Sequence, residues 1–455
     1  MAFELSPTDP MVVFTAVAAL IFLGFLGNLV FSRLRFNDTL LLIAVGVVLG
    51  PLLAVVDPGS MQQISSLVGP LALILILFDG GLALRLKEIV SGLGSAAVLG
   101  IVGFVLTAAG VGAVVATTLY NDPSVPFSDR FLTGLILGSI LGGTSALVVL
   151  PSLQHIKCQK KTATTLSLES ALTDILVVVV TFTLISIAAA QAGDADGAGG
   201  AGGIDAQGVT SKLVITFAMS LFLGGLAGVL WLLAVPSVRE KPFGYMLSLG
   251  VMFALYVLTE WLLRDVSSGG GPLAVLAFGI VLGNAGSMGR IGRRIGEDFG
   301  TGIKRFQGEI SFLVRTFFFI YLGVLVDPAI FGDLHVWGVG LLVFAAMLAA
   351  RYVAVVLVRR HVRLRGDDLV LFTMMPRGLA AAVLAAIPFQ QGVAGSEKFV
   401  GIAFLMLVFT NLLSTFGALV LEKRLGKGAG ADEEMVRRAP LSEKKGRAGK
   451  AKART

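Results

Sequence analysis

The sequence predicts an all-α integral membrane protein with about 13 transmembrane helices. Of its 455 residues, 55% are hydrophobic and only 14% are charged, and the mean hydropathy is +0.88. A soluble domain carries about 25% charged residues. Long apolar segments also recur along the whole chain, and the basic residues collect in alternate connections between them.

The apolar segments are about 20 residues long, which is the length that crosses a bilayer as a helix. The predicted spans are 11–31, 38–56, 64–84, 95–119, 131–150, 165–190, 211–234, 243–263, 271–285, 308–327, 336–358, 369–390 and 399–420.

Basic residues indicate the orientation of these spans. If the N-terminus lies outside, 29 of the 36 Lys and Arg residues fall in inside segments and four in outside segments. Because inside loops carry the excess of basic residues, we expect a multi-pass protein of the cell (inner) membrane with a cytoplasmic C-terminus. Much of the net charge of +7 lies in a tail beginning near Lys423, which suits contact with lipid and does not predict nucleic-acid binding.

Ionisable residues inside spans are rare, because each costs about 2.5–3.5 kcal/mol on insertion scales. Depth along the spans allows two structural ion pairs, Glu169 with Arg351 and Asp79 with Arg377. Arg315 is a third base without an assigned role. These residues and Asp174 are the six charges that the predicted spans contain: Asp79, Glu169, Asp174, Arg315, Arg351 and Arg377.

Asp174 lies about ten residues into its span, close to the bilayer midplane at 1.5 Å per residue. No base is predicted at the same depth. A carboxylate in that position suits a site that holds either a cation or a proton. The alternative is a hydrogen-bonded carboxyl that only helps helices to pack.

Two spans contain helix-breaking sequences near their centres. The fifth carries Gly142-Gly143-Thr144-Ser145, and the twelfth carries Pro376-Arg377-Gly378. Because the two spans are seven apart and run in opposite directions, they indicate inverted repeats with two broken helices. Helix ends exposed at such breaks offer carbonyls and hydroxyls to a cation.

These residues resemble the NhaP/NHE-type sodium:proton antiporters of the monovalent cation:proton antiporter-1 family. The segment Glu169-Ser170-Ala171-Leu172-Thr173-Asp174 is similar to the family sequence E-S-x-x-N-D. Further matches are Leu77-Phe78-Asp79-Gly80-Gly81-Leu82, Pro376-Arg377-Gly378 and Phe317-Phe318-Phe319-Ile320-Tyr321-Leu322-Gly323. The resemblance implies an NhaA-like antiporter fold, a homodimer, an elevator-type motion and a role in pH homeostasis.

The resemblance also implies a division of the chain. Helices 1–3 (1–94) and helices 8–10 (235–335) would form a dimerisation domain. Helices 4–6 (95–190) and helices 11–13 (336–420) would form the transport core. An external Gly-rich loop and linker helix 7 (191–234) would join them, and 421–455 would be a cytoplasmic basic tail.

In the family pattern Asp174 is the carboxylate shared by cation and proton, with Ser170 and Thr144 near the ion. Two departures stand out: Thr173 replaces the family Asn, and Thr144-Ser145 replaces Thr-Asp. The site then has one fewer carboxylate, so Na⁺, K⁺ and Li⁺ all stay open as cargo. Arg315 could compete with the cation for Asp174.

Exchange of Na⁺ or K⁺ for H⁺ without net charge movement is the predicted function. A symporter of a small organic anion on a related broken-helix fold is the alternative. A cation channel would need a filter-like repeat, and a membrane-embedded enzyme would need a nucleophile with a base. We find no motif for either, and none for a cofactor, so the sequence does not predict an enzyme.

Overall fold

A computed structural model gives the fold. It describes residues 38–53, 58–83, 94–145, 158–195, 206–238, 244–264, 270–287, 297–326, 332–362 and 367–438, together with 11, 15, 18–19, 21–26, 29, 148–149, 152–153 and 266. Regular structure within these residues is helical throughout.

The helices follow the predicted spans closely. Their bounds are α1 Asp38–Val47, extended by a π-helical turn Val48–Leu52; α2 Pro58–Ala83; α3 Gly94–Leu119, whose centre Gly103–Val114 is flanked by π-helical turns; α4 Phe127–Ile140; α5 Lys160–Ala195; α6 Ala206–Val238; α7 Gly244–Leu263; α8 Gly270–Gly283; α9 Glu297–Val324; α10 Leu334–Val362; α11 Asp368–Thr373; α12 Leu379–Leu384; α13 Ile387–Gln390; and α14 Phe399–Arg438.

Six helices in the described part of the chain are long and apolar enough to cross a membrane: α3, α5, α6, α7, α10 and α14. Shorter apolar helices are found at Thr39–Leu52, Gly69–Leu82, Gly270–Gly283 and Leu379–Gln390. Of the first predicted span, 11–31, the residues 11, 15, 18–19, 21–26 and 29 are described and are helical, and the others lie outside the described residues. The count of thirteen therefore stays a prediction.

Helices extend into two segments that the sequence assigns to a loop and a tail. In the region 191–234, where a Gly-rich loop precedes linker helix 7, α5 ends at Ala195 and α6 begins at Ala206, and residues 196–205 lie outside the described part. In the basic tail predicted at 421–455, α14 continues to Arg438. Acidic and basic residues spaced four apart, Glu433 with Arg437 and Glu434 with Arg438, favour helix there.

The helices pack into two groups. One group, the first bundle, contains α1, α2, α6, α7, α8 and α9, with α8 packed between α2 and α6. The other group, the second bundle, contains α3, α4, α5, α10, α11 and α14. The short helix α12 contacts α2 and α9 of the first bundle as well as α5 and α14 of the second. The boundary between the bundles therefore passes along α12.

Small residues set the close approach of α2 and α8. A Cβ added at Gly81 of α2 would lie 2.6 Å from the carbonyl oxygen of Leu276 in α8. Packing at this distance without side chains is typical of helix pairs in membranes. The outward faces are apolar as well: Phe222 and Leu230 of α6 are 61% and 57% exposed, as expected for side chains in contact with lipid.

Candidate functional site

The first helix break lies where the sequence predicts it. The helix α4 ends at Ile140, and residues 142–145 are not helical. Val148 is helical again, and its N–H donates to the Ser145 carbonyl. Two consecutive glycines carry a large conformational entropy cost in a helix, which favours an interruption there. The predicted interruption of the fifth span is confirmed.

The second break separates α11 from α12. Residues 374–378 are not helical. Pro376 has no N–H to donate and disfavours helical backbone at Met375, so the chain leaves the helix before it. The predicted interruption of the twelfth span is also confirmed.

The two breaks cross in direct contact. The Ser145 N–H donates to the Pro376 carbonyl over 2.9 Å, and Arg377 Nη1 donates to the Gly143 carbonyl. A Cβ at Gly378 would collide with the side chain of Ser145, so only glycine permits this approach. Each break thus provides hydrogen-bond partners for backbone groups of the other that have none within a helix. Such partners are needed because the membrane interior offers no water to these groups.

Hydroxyl groups of α5 hold the first break. Thr173 Oγ1 accepts a hydrogen bond from the Thr144 N–H at 3.1 Å, and Thr144 Oγ1 lies 3.1 Å from Ser170 Oγ. The same Thr144 hydroxyl lies 3.4 Å from Glu169 Oε1. Four of the predicted site residues therefore form one buried polar cluster.

Glu169 and Arg351 form a buried ion pair. Arg351 Nη1 and Nη2 donate to the two carboxylate oxygens at 2.5 and 3.1 Å. The guanidinium also donates to the carbonyls of Leu371 (2.8 Å) and Met374 (3.0 Å), close to the second break. This fork geometry engages both charges fully, as predicted for a structural pair.

Asp174 points away from that cluster into a small cavity. The cavity has a volume of about 20 Å³, enough for one water molecule or one ion of similar size. Helices α2, α5, α8 and α12 line it, so it lies on the boundary between the two bundles. Its walls include Leu77, Gly80, Ala171, Leu276 and Ala380.

Of the described residues that line it, Asp174 alone is acidic or basic. Among the described residues, no ion pair or hydrogen bond engages its carboxylate. Asp79 of α2 precedes Gly80, which lines the cavity, but Asp79 itself is not among the lining residues.

The predicted pair of Asp79 with Arg377 is wrong in this structure. Within the described part of the chain, no ion pair joins them within 4 Å; Arg377 instead turns to the Gly143 carbonyl of the first break. Helical depth was the basis of the prediction, but depth does not fix the direction of a side chain around the helix axis. A carbonyl freed by the break provides an acceptor for Arg377 instead.

Ser145 and Arg315 occupy different surroundings from Asp174. Ser145 contributes its backbone N–H to the crossing, beside Gly378. The Arg315 guanidinium carbon lies 5.9 Å from the centre of the Phe312 ring on the same helix, α9. Competition of Arg315 with a cation for Asp174 remains a prediction.

Sequence reasoning missed a polar group on α14. The Thr410 hydroxyl accepts from the Arg377 N–H at 3.1 Å, Asn411 Nδ2 donates to the Arg377 carbonyl at 3.0 Å, and Ser414 Oγ donates to the Thr373 carbonyl at 2.9 Å. All three are buried. Their spacing, i, i+1 and i+4 on an otherwise apolar helix, was a signal that a search limited to charged residues overlooks.

Known proteins are similar to this chain in sequence and in fold. The family model described as "Sodium/hydrogen exchanger, transmembrane" matches residues 16–421. The chain is 28% identical over 409 residues to the K(+)/H(+) antiporter NhaP2 of Shewanella sp. (strain ANA-3), covering 87% of this chain and 64% of that protein. It therefore spans slightly less than two thirds of the length of this relative.

A second relative is closer to this chain in length. The Na(+)/H(+) antiporter 1 of Methanocaldococcus jannaschii is 24% identical over 368 residues, which is 80% of each protein. The solved structure of the sodium proton antiporter MjNhaP1 from that organism, at pH 8, superposes with a TM-score of 0.72 at 21% identity, covering 91% of this chain and 99% of that one. The all-helical antiporter fold is thereby confirmed.

The family match extends over both breaks, the Glu169–Asp174 segment and the ion pair with Arg351. It also fits the apolar helices of a multi-pass membrane protein. The chain therefore belongs to the sodium/hydrogen exchanger family.

Proposed function

We propose that the protein exchanges a monovalent cation, K⁺ or Na⁺, for H⁺ across the cell membrane. The observation that carries this proposal is Asp174: an acidic side chain in a cavity between two helix bundles, with no ion pair among the described residues. Such a carboxylate can release a proton to bind a cation and release the cation to bind a proton. Because the proton and the cation compete for this one carboxylate, the transport of one is coupled to the transport of the other without a separate gate.

The setting of the cavity supports alternating access. The α2 and α8 walls belong to the first bundle, whereas α5 belongs to the second and α12 contacts both. A displacement of one bundle against the other would therefore carry Asp174 past a different part of the opposing wall. We assign the transport core to the second bundle and the dimerisation domain to the first, with the elevator-type motion between them.

Selectivity between K⁺ and Na⁺ follows from the same residues. The relatives are named for K⁺/H⁺ and for Na⁺/H⁺ exchange. Apart from Asp174 the side chains that line the cavity are apolar, so few protein oxygens replace the hydration shell that a cation loses on entering. Since K⁺ gives up its hydration shell more readily than Na⁺, this composition favours K⁺ at least as much as Na⁺.

The test is a scan of cation-dependent proton movement. Purified protein in proteoliposomes with an imposed proton gradient and an internal pH-sensitive dye receives Na⁺, K⁺ or Li⁺ in turn. We expect the gradient to dissipate on addition of K⁺ or Na⁺ and not with choline. Dissipation that requires an organic anion, or none with any of the three cations, would contradict the proposed exchange.

A further inference from the structure

A pair of residues on α14 resembles the pair on α5 that carries the candidate cation site. Thr410 is followed by Asn411, as Thr173 is followed by Asp174. We propose that Thr410 and Asn411 are positioning residues that set the affinity for the transported cation without touching it. This inference rests on the exchange function proposed above.

Thr410 and Asn411 act first on the backbone of the second break. Arg377 lies outside any helix, so its backbone N–H and carbonyl need partners from elsewhere. Thr410 Oγ1 accepts from the N–H at 3.1 Å, and Asn411 Nδ2 donates to the carbonyl at 3.0 Å. Both α14 side chains are completely buried, so no water replaces them. The two residues thus fix the backbone on both sides of the Arg377 side chain.

The second step leads from Arg377 to α5. The guanidinium donates to the Gly143 carbonyl in the first break. The next residue, Thr144, donates its N–H to Thr173 Oγ1 on α5. Thr173 precedes Asp174, so a chain of direct hydrogen bonds joins α14 to the helix turn that carries the cation-binding carboxylate.

The third step explains why the second copy of the motif carries an amide. At both breaks a threonine hydroxyl on the adjacent helix accepts a backbone N–H: Thr173 from Thr144, and Thr410 from Arg377. The residues that follow these two threonines, Asp174 and Asn411, have different roles. Asp174 faces the cavity, whereas Asn411 donates to a carbonyl, which an ionised carboxylate cannot do. One copy therefore binds the ion and the other holds the crossing in place.

Matched substitutions separate positioning from general packing. Thr410→Val removes the acceptor at nearly constant volume, and Thr410→Ser keeps it. Asn411→Leu removes the donor. Thr415→Val is the control, since the Thr415 hydroxyl is also buried but donates only to the carbonyl of Asn411 within its own helix, at 2.8 Å.

The readouts are the apparent cation affinity and the maximal exchange rate in proteoliposomes, with cation-induced thermal stabilisation in detergent as a measure of binding. We expect Thr410→Val and Asn411→Leu to weaken the affinity about tenfold, the equivalent of one ordinary hydrogen bond, and to change the maximal rate less than about twofold. Thr410→Ser and Thr415→Val should retain wild-type affinity.

Wild-type affinity in Thr410→Val and Asn411→Leu, or an equal loss in Thr415→Val, would overturn the positioning role while leaving the exchange function intact. A wild type that neither exchanges nor is stabilised by Na⁺, K⁺ or Li⁺ would overturn the exchange function, and this inference with it.

Discussion

Two acidic residues five positions apart on α5 have different surroundings. Glu169 is 2% exposed and bound by both terminal nitrogens of Arg351. Asp174 lies on another face of the helix, in the cavity between the bundles. A residue separation of five rotates a side chain by more than a full turn, which places the two carboxylates in different environments. We infer a structural role for Glu169 and an ion-binding role for Asp174.

Replacing Glu169 alone should destabilise the fold. Glu169→Ala leaves Arg351 buried with an uncompensated charge, and we expect a loss of about 3–5 kcal/mol in the free energy of unfolding. Changing both residues to a matched apolar pair, Glu169→Leu with Arg351→Met, should cost less than the single change. Thermal unfolding monitored in detergent makes the comparison. A Glu169→Ala protein that unfolds at the wild-type temperature, yet has no exchange activity, would show that Glu169 serves the ion instead.

Among the structural elements, the sequence predicts the positions of the two helix breaks best. Consecutive glycines and the Pro-Arg-Gly sequence destabilise helix locally, so their position alone locates the interruptions. The partners of the broken segments were harder to predict. Arg377 was matched to Asp79 by depth, and only the structure shows that it donates to Gly143. The Thr410–Asn411 pair was overlooked because neutral polar residues in a membrane helix do not stand out by charge.

Close contact at the crossing predicts a compensating pair of substitutions. In Gly378→Ala the new Cβ collides with the Ser145 side chain, so the two breaks must separate and exchange activity should fall by on the order of tenfold or more. Adding Ser145→Gly removes the colliding atoms, and activity should recover in part. Exchange rates of the two single variants and the double variant test this. Gly378→Ala with wild-type activity would show that the breaks do not meet as described.

At the scale of the whole molecule, the two bundles and the cavity between them determine how transport could occur. Composition and basic-residue distribution predicted a multi-pass helical protein, and the family match and fold support it. Composition and charge distribution could not predict which helices face each other across the cavity, because the faces of a mostly apolar helix differ little in polarity. The contact of Asp174 with a wall formed by α2 and α8 came from the structure.

Relative movement of the bundles predicts that a crosslink across the cavity stops transport. Gly80 on α2 of the first bundle and Ala171 on α5 of the second line the same cavity. In a Cys158→Ser background, cysteines at both positions should abolish exchange when oxidised and restore it when reduced. The control pair replaces Ser139 and Thr181, whose hydroxyls lie 2.8 Å apart within the second bundle. Crosslinked Gly80–Ala171 protein that still exchanges would contradict a motion along this boundary.

Asp174→Asn tests the central claim most directly. An amide is nearly isosteric with the carboxyl, so the variant should fold as wild type does, with an unchanged elution volume and thermal stability. Since an amide neither titrates nor neutralises a cation, all cation-dependent proton movement should disappear. In the wild type the apparent cation affinity should weaken as pH falls, because protons occupy the same carboxylate. A well-folded Asp174→Asn protein that still exchanges cations for protons would contradict the assignment of Asp174 as the shared site.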